Sequence, residues 1–312
     1  MSVAIIFPGQ GSQQLGMLAE LADEFPQVRE TFQEASDVLG EDLWSLAQTG
    51  PEAELNRTEH TQVVMLTADV AVWRVWQAKQ GCLPVAMAGH SLGEYAALVC
   101  ANAMRFDDAL KLVRQRARHM QAAVAVGEGA MAAILGLAEA QVEAACEQAS
   151  DTGVVMAANY NAPGQVVIAG QAAAVEKAVS LAKAQGAKRA IPLAVSVPSH
   201  CQLMRPAAAS LADELASVAI AAPTIPVIHN ADVAAYQTGG EIRDALIRQL
   251  YQPVRWVATV NALTTHGAHA CVEAGPGKVL TGLNRRIARQ MPCVGVDDIV
   301  SLDEALRLCE GG

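Results

Sequence analysis

The chain has 312 residues, 52% hydrophobic and only 4% aromatic, and 22 Lys and Arg against 32 Asp and Glu give it a formal net charge of −10. That apolar share supports a sizeable core of Ala, Val, Leu and Ile and excludes a disordered chain, while the acidic balance argues against a nucleic-acid binder. No apolar run approaches the roughly 20 residues of a membrane-spanning helix, and the length suggests about two domains.

Ser2 to Phe7 is short, apolar and without a basic leader, so it reads as a buried strand rather than a signal peptide. Thr61 to Gln80 has a helical pattern, and Val85 to Ala88 is a short strand. That strand runs through Gly89-His90-Ser91-Leu92-Gly93 into a small-residue helix, Glu94 to Ala103. Asp107 is placed to cap a further helix reaching about Val124. Strands alternating with helices point to a parallel α/β sheet.

The pattern changes after Gly127-Glu128-Gly129. A strand at Ala130 to Leu135 is followed by a helix at Glu139 to Ala149. Strands at Val154 to Asn159 and Gln165 to Ala169 are joined by a turn at Ala162-Pro163-Gly164. A helix at Ala172 to Gln185 and a strand at Ala190 to Val195 complete the set. The order β-α-β-β-α-β is that of a ferredoxin-like module, so residues 127–197 read as a small domain inserted into a discontinuous large one, 1–126 and 198–312. In the large domain, Pro226 to His229 and Ala270 to Glu273 read as strands. Helices are expected at Leu203 to Ser217, Glu241 to Leu250, Val254 to Thr265 and Val279 to Arg289. The cleft between domains is the default ligand site.

The seven cysteines are scattered, odd in number and without Cys-x-x-Cys spacing. They predict neither a zinc site nor a disulfide framework, but small buried hydrophobes in a reducing cytoplasm.

Gly89 to Gly93 matches G-x-S-x-G between a strand and a helix, the setting of a nucleophile elbow. Small flanking residues let the chain turn sharply and project Ser91, and the amide of Leu92 would face a developing oxyanion. Serine needs a base. Of seven histidines, His90 adjoins Ser91 and should diverge from it. His200 lies in a turn-like stretch facing the inferred cleft and is the choice by position. Asp232 or Glu273 could orient the base, but a dyad oriented by a backbone carbonyl is equally allowed.

Phe7 to Gln13 is a glycine-rich loop with Gln14 where a dinucleotide fingerprint needs glycine; it reads as a connection, or as amides offered to an anion. Gly275-Pro276-Gly277-Lys278 lacks the spacing and the Ser or Thr of a Walker loop. Arg116 falls at the edge of the stripe of Leu110, Val113, Ala117, Met120 and Val124. A guanidinium beside a core wants a partner, and the burial rule alone favours an internal Asp or Glu.

FPGQGSQ (Phe7 to Gln13), AGHSLGEYAALV (Ala88 to Val99), RARHMQ (Arg116 to Gln121), NYNAPGQVVIAG (Asn159 to Gly170), VSVPSH (Val195 to His200), RQLYQPVRW (Arg248 to Trp256) and GPGKVLTGL (Gly275 to Leu283) stand in that order along the chain. Through them the chain resembles the bacterial malonyl-CoA:acyl carrier protein transacylases over nearly its whole length. The resemblance implies an α/β-hydrolase-like domain with a ferredoxin-like insert. It implies Ser91 as nucleophile, His200 as base, and the main-chain carbonyl of Gln249 in place of a carboxylate. The amides of Gln10 and Leu92 would form the oxyanion hole. Arg116 would hold a malonyl carboxylate, Gln62 would be a further polar contact, and Asn159 and Asn161 would line a pantetheine channel.

The likeness further implies ping-pong transfer from malonyl-CoA to the phosphopantetheine thiol of acyl carrier protein. Coenzyme A and phosphopantetheine serve as substrate carriers, with no permanently bound cofactor or metal, no nucleic acid and no membrane partner. A cytoplasmic monomer is expected. Lys188, Arg189, Arg285 and Arg286 are candidates for a basic patch that offsets repulsion between two acidic proteins. A serine thioesterase, a related acyltransferase serving malonate decarboxylase or a polyketide synthase, and a silent binding module are the alternatives. The short chain, without a fused carrier or synthase, favours discrete fatty-acid synthesis.

Overall fold

The computed structural model describes residues 1–193 and 197–310. Among them run nine strands: β1 (Val3–Phe7), β2 (Ala86–Gly89), β3 (Gly129–Leu135), β4 (Val155–Ala162), β5 (Gln165–Gln171), β6 (Arg189–Pro192), β7 (Val227–Ile228), β8 (Ala270–Ala274) and β9 (Cys293–Val296). The protein is a mixed α/β fold with two separate sheets. A parallel five-stranded sheet has the order β7-β2-β1-β8-β9, and an antiparallel four-stranded sheet the order β4-β5-β3-β6.

All five residues of β1 are buried, as a central strand covered on both faces requires. Val3, Ile5 and Phe7 join the apolar cluster on one face, and Ala4 and Ile6 join the cluster on the other, following the two-residue period of a strand. Ile6 pairs with both Ala88 and Glu273, and Phe7 with Gly89. The loops after β1, β2 and β8 therefore leave the sheet at one edge, the carboxyl edge, where open parallel sheets bind ligands.

Five helices position the site: α1 (Thr58–Ala78), α2 (Gly93–Cys100), α3 (Phe106–Ala122), α4 (Gly239–Gln249) and α5 (Val279–Ile287). Strand β4 is stitched to the segment leading out of α4. Tyr160 N–H donates to the Val254 carbonyl and Val254 N–H to that of Ala158, both at 2.9 Å. This seats the antiparallel sheet over the carboxyl edge of the parallel one.

Several expectations need correction. Asp107 does not cap α3. Arg105 holds that position and Asp107 accepts from its guanidinium at 2.9 and 3.1 Å. Beyond the expected elements stand four N-terminal helices, Ala19–Glu24, Pro26–Leu39, Leu43–Thr49 and Glu52–Leu55, as well as β9 and a final helix, Ile299–Glu310. Pro26 at the start and Gly40, with φ 71°, just past the end of the second of these are ordinary boundary signals. The expected strand Ala190 to Val195 ends at Pro192, and its last two residues lie outside the described residues.

The cysteines also depart from expectation. Cys82 and Cys309 are joined as a disulfide across 227 residues of sequence, while the other five are free and buried. Spacing rules see only local pairs. This one is made by the final helix packing beside the loop before β2. Among the described residues no helix is long and apolar enough to cross a membrane.

Candidate active site

Strand β2 turns into α2 through His90-Ser91-Leu92, and Ser91 takes a left-handed φ of 52°. Such a conformation costs a non-glycine residue about 1–3 kcal/mol and persists only where its surroundings impose it. Here they do. Ser91 N–H donates to Asn230 Oδ1 at 2.7 Å, and the Ser91 carbonyl accepts from Gln249 Nε2 at 2.8 Å. Asn230 Nδ2 in turn holds the Gly89 carbonyl at 2.6 Å. The motif's glycines are explained by contact. A Cβ on Gly89 would lie 1.9 Å from the Gly93 carbonyl carbon, and one on Gly93 2.2 Å from the Phe7 oxygen. Any side chain at either position would push α2 off the sheet.

Ser91 Oγ lies 2.7 Å from His200 Nε2, and His200 Nδ1 lies 2.7 Å from the Gln249 carbonyl oxygen. A carbonyl oxygen only accepts, so Nδ1 carries the proton and Nε2 is left as the acceptor facing the hydroxyl. Neither proposed carboxylate reaches the ring. Asp232 is held by Arg248 and Tyr236. Glu273 accepts the amides of Leu280 and Thr281 at 3.0 and 2.7 Å, capping α5. The Gly275 to Lys278 turn thus leads to a helix whose first amides are already taken by an internal carboxylate. Burial, and secondarily the charge of Arg116, push His200 down to a pKa of about 3. The imidazole is neutral at any ordinary pH.

Arg116 is 1% exposed and has no carboxylate against it among the described residues, contrary to the burial-rule expectation. Its Nη1 donates to Gln62 Oε1 at 2.7 Å. Its Nη2 donates to Gln249 Oε1 at 3.0 Å and to Ser91 Oγ at 3.2 Å, and its Nε has no partner among the described residues. A buried guanidinium held only by neutral groups is suited to receive an anion. Burial also lowers its pKa, which a bound carboxylate would reverse.

His90 turns from Ser91 to Asn161, its Nε2 2.9 Å from Oδ1. The loop after β1 lies directly on the elbow, where a Cβ on Gly9 would come within 2.5 Å of the His90 oxygen. This brings Gln10 beside Leu92, and neither amide is engaged by an acceptor among the described residues. The two share a cleft of about 170 Å³ with Ser91, His200, Arg116 and Gln62, which Asn159 and Asn161 also line. No group of His, Cys, Asp or Glu among the described residues could hold a metal ion.

Lys188, Arg189, Arg285 and Arg286 stand outside this cleft and exposed. Arg286 donates to Gln165 Oε1 at 2.5 Å and to the Pro163 carbonyl at 3.0 Å. Arg189 pairs with Leu135, which pairs with Gln165 on its other side. Lys188, Arg189 and Arg286 therefore gather at one end of the antiparallel sheet, next to the hairpin that carries Asn161.

Sequence reasoning missed Asn230, Glu94 and the side chain of Gln249. Glu94 did leave a signal, a carboxylate at the head of the otherwise apolar run Tyr95 to Val99. Asn230 left none.

The acyl transferase domain family matches residues 4–302. The malonyl CoA-acyl carrier protein transacylase of Salmonella typhimurium is 54% identical over 303 residues, covering 97% of this chain and 98% of its own. A malonyl-transacylase solved in complex with the holo acyl carrier protein of a type II polyketide synthase superposes with a TM-score of 0.97 at 54% identity, over 99% of this chain and 100% of that one. The malonyl CoA-acyl carrier protein transacylase of Coxiella burnetii gives 0.97 at 50% identity, over 99% and 98%.

Proposed function

This chain belongs to the acyl transferase domain family, and from that premise we propose that it moves a malonyl group from malonyl-CoA to the phosphopantetheine thiol of acyl carrier protein for fatty-acid synthesis. The observation that carries the choice of acyl group is Arg116, a buried cation without a carboxylate of its own among the described residues, 3.2 Å from Ser91 Oγ.

In the first half-reaction Ser91 Oγ attacks the thioester carbon as its proton passes to His200 Nε2. The carbonyl oxygen becomes an oxyanion facing the amides of Gln10 and Leu92. Collapse breaks the carbon–sulfur bond, and the imidazolium returns its proton to the departing thiolate of coenzyme A. A malonyl ester remains on Ser91. In the second half the carrier thiol gives its proton to His200 and attacks the ester, and Ser91 Oγ recovers the proton as it leaves. Thioester is exchanged for thioester, so no external energy source is required.

Arg116 has a second effect. Its charge is one of the causes that depress His200. A malonyl carboxylate on the guanidinium offsets that charge, so the base strengthens when the right acyl group is bound. Gln62 fixes the other side of the guanidinium. A cleft this small leaves little room for water beside the ester, favouring thiol transfer over hydrolysis.

The malonyl-transacylase of the solved complex is bound to an acyl carrier protein. We assign carrier docking on this chain to Lys188, Arg189, Arg285 and Arg286, of which Lys188, Arg189 and Arg286 place positive charge next to the hairpin that carries Asn161 in an otherwise acidic protein. We read 1–126 and 198–312 as the catalytic domain and 127–197 as the insert. The same reading makes the protein a cytoplasmic monomer that needs no permanently bound cofactor. A single assay tests the function: labelled malonyl-CoA and holo carrier protein should yield labelled carrier. Release of free malonate in its place would make the protein a thioesterase.

A further inference from the structure

Glu94 is fully buried and takes no part in the acyl-transfer steps. Its Oε1 meets His229 Nδ1 at 2.7 Å. Its Oε2 accepts the Asn230 amide at 3.0 Å and Gln249 Nε2 at 2.9 Å. That Gln249 amide is the link to the cleft. Its nitrogen faces two groups that can only accept, the Glu94 carboxylate and the Ser91 carbonyl, and its oxygen faces Arg116 Nη2. Turning the amide over would set oxygen against both acceptors and N–H against a guanidinium.

We propose that Glu94 is a positioning residue for substrate choice, which through the side-chain amide of Gln249 fixes the Arg116 guanidinium to receive an acyl carboxylate. The arrangement resolves a conflict. A carboxylate touching Arg116 would hold it well but occupy the place the substrate's carboxylate must take. A carboxylate one amide away gives the buried cation its counter-charge and its orientation while leaving it open. Gln249 thus serves twice, with its main-chain carbonyl toward His200 and its side chain toward Arg116. The inference rests on the malonyl-transfer reading of the site.

The test is the ratio of kcat/KM for malonyl-CoA to that for acetyl-CoA. Glu94→Gln keeps size and removes charge. Gln249→Met removes the amide and keeps the carbonyl, and an unchanged ratio in that variant overturns the proposal even if Glu94→Gln does not fold. Each should lower the ratio about tenfold or more, the scale of one charge-assisted hydrogen bond. In an Arg116→Ala background Glu94→Gln should leave the ratio within about twofold, because the residue it acts through is gone. Equal losses for both substrates, with the ratio unchanged, would make Glu94 part of the scaffold and overturn the proposal. So would a further fall in the ratio without Arg116. A wild-type protein that transfers no malonyl group would overturn the functional reading instead.

Discussion

His200 Nδ1 sits 2.7 Å from the main-chain oxygen of Gln249, so a neutral carbonyl orients the imidazole. No negative charge among the described residues supports the ring, whereas burial and Arg116 both oppose its protonation.

The pH dependence follows from that shift. The folded value of about 3 lies below the ordinary 6.5, so the base stays neutral as pH falls through the usual histidine range. We expect kcat/KM for malonyl-CoA to be level between pH 7 and pH 5. An unshifted imidazole would lose about 25-fold over that interval. Initial rates in constant-ionic-strength buffers distinguish the two.

Arg116→Ala removes the only charged group donating to Ser91 Oγ among the described residues. Transfer from malonyl-CoA should fall by about a hundredfold or more, the scale of a lost charge-assisted pair in a buried site. Transfer from acetyl-CoA should hold or rise. Parallel kinetics with both substrates check this, and a variant still strongly preferring malonyl-CoA contradicts the assignment.

Alanine at Lys188, Arg189, Arg285 and Arg286 together should raise KM for the carrier protein severalfold and leave KM for malonyl-CoA alone. Added salt should weaken carrier use by the wild type more than by this variant. Equal effects on both substrates would reject the patch.

Asp69 predicts a stability effect. Both its carboxylate oxygens are buried without a partner among the described residues, and burial, then Glu273, push its pKa well above normal. The folded state therefore binds a proton that the unfolded chain releases near pH 4. This contribution makes stability decline as pH rises above that point. Glu273, pushed up to about 7 mainly by burial, acts in the same direction. Asp69→Asn should flatten the decline, raising Tm relative to wild type more at pH 8 than at pH 4. An unchanged difference across that range, measured by thermal melts, would contradict it.

Much of this fold is legible in the sequence because β1 is an unbroken apolar run and Gly89 and Gly93 mark a turn that tolerates no side chain. The β-α-β-β-α-β order likewise announces the second sheet. The cleft between the sheets suggests the pairing of Ser91 with His200, but only the family resemblance points to Gln249, since a main-chain carbonyl carries no residue signature. Asn230 and the Cys82–Cys309 bond are out of reach for a related reason. Each joins segments far apart in sequence, and nothing local at either end requires the partner.

The acyl-enzyme on Ser91 is tested most directly by intact-protein mass spectrometry after brief exposure to malonyl-CoA without carrier protein. The expected result is a mass gain of one malonyl group, mapped to Ser91, chased off by holo carrier protein and absent in Ser91→Ala. Transfer to carrier protein by wild type with no acylated intermediate, or by Ser91→Ala at an undiminished rate, would contradict it.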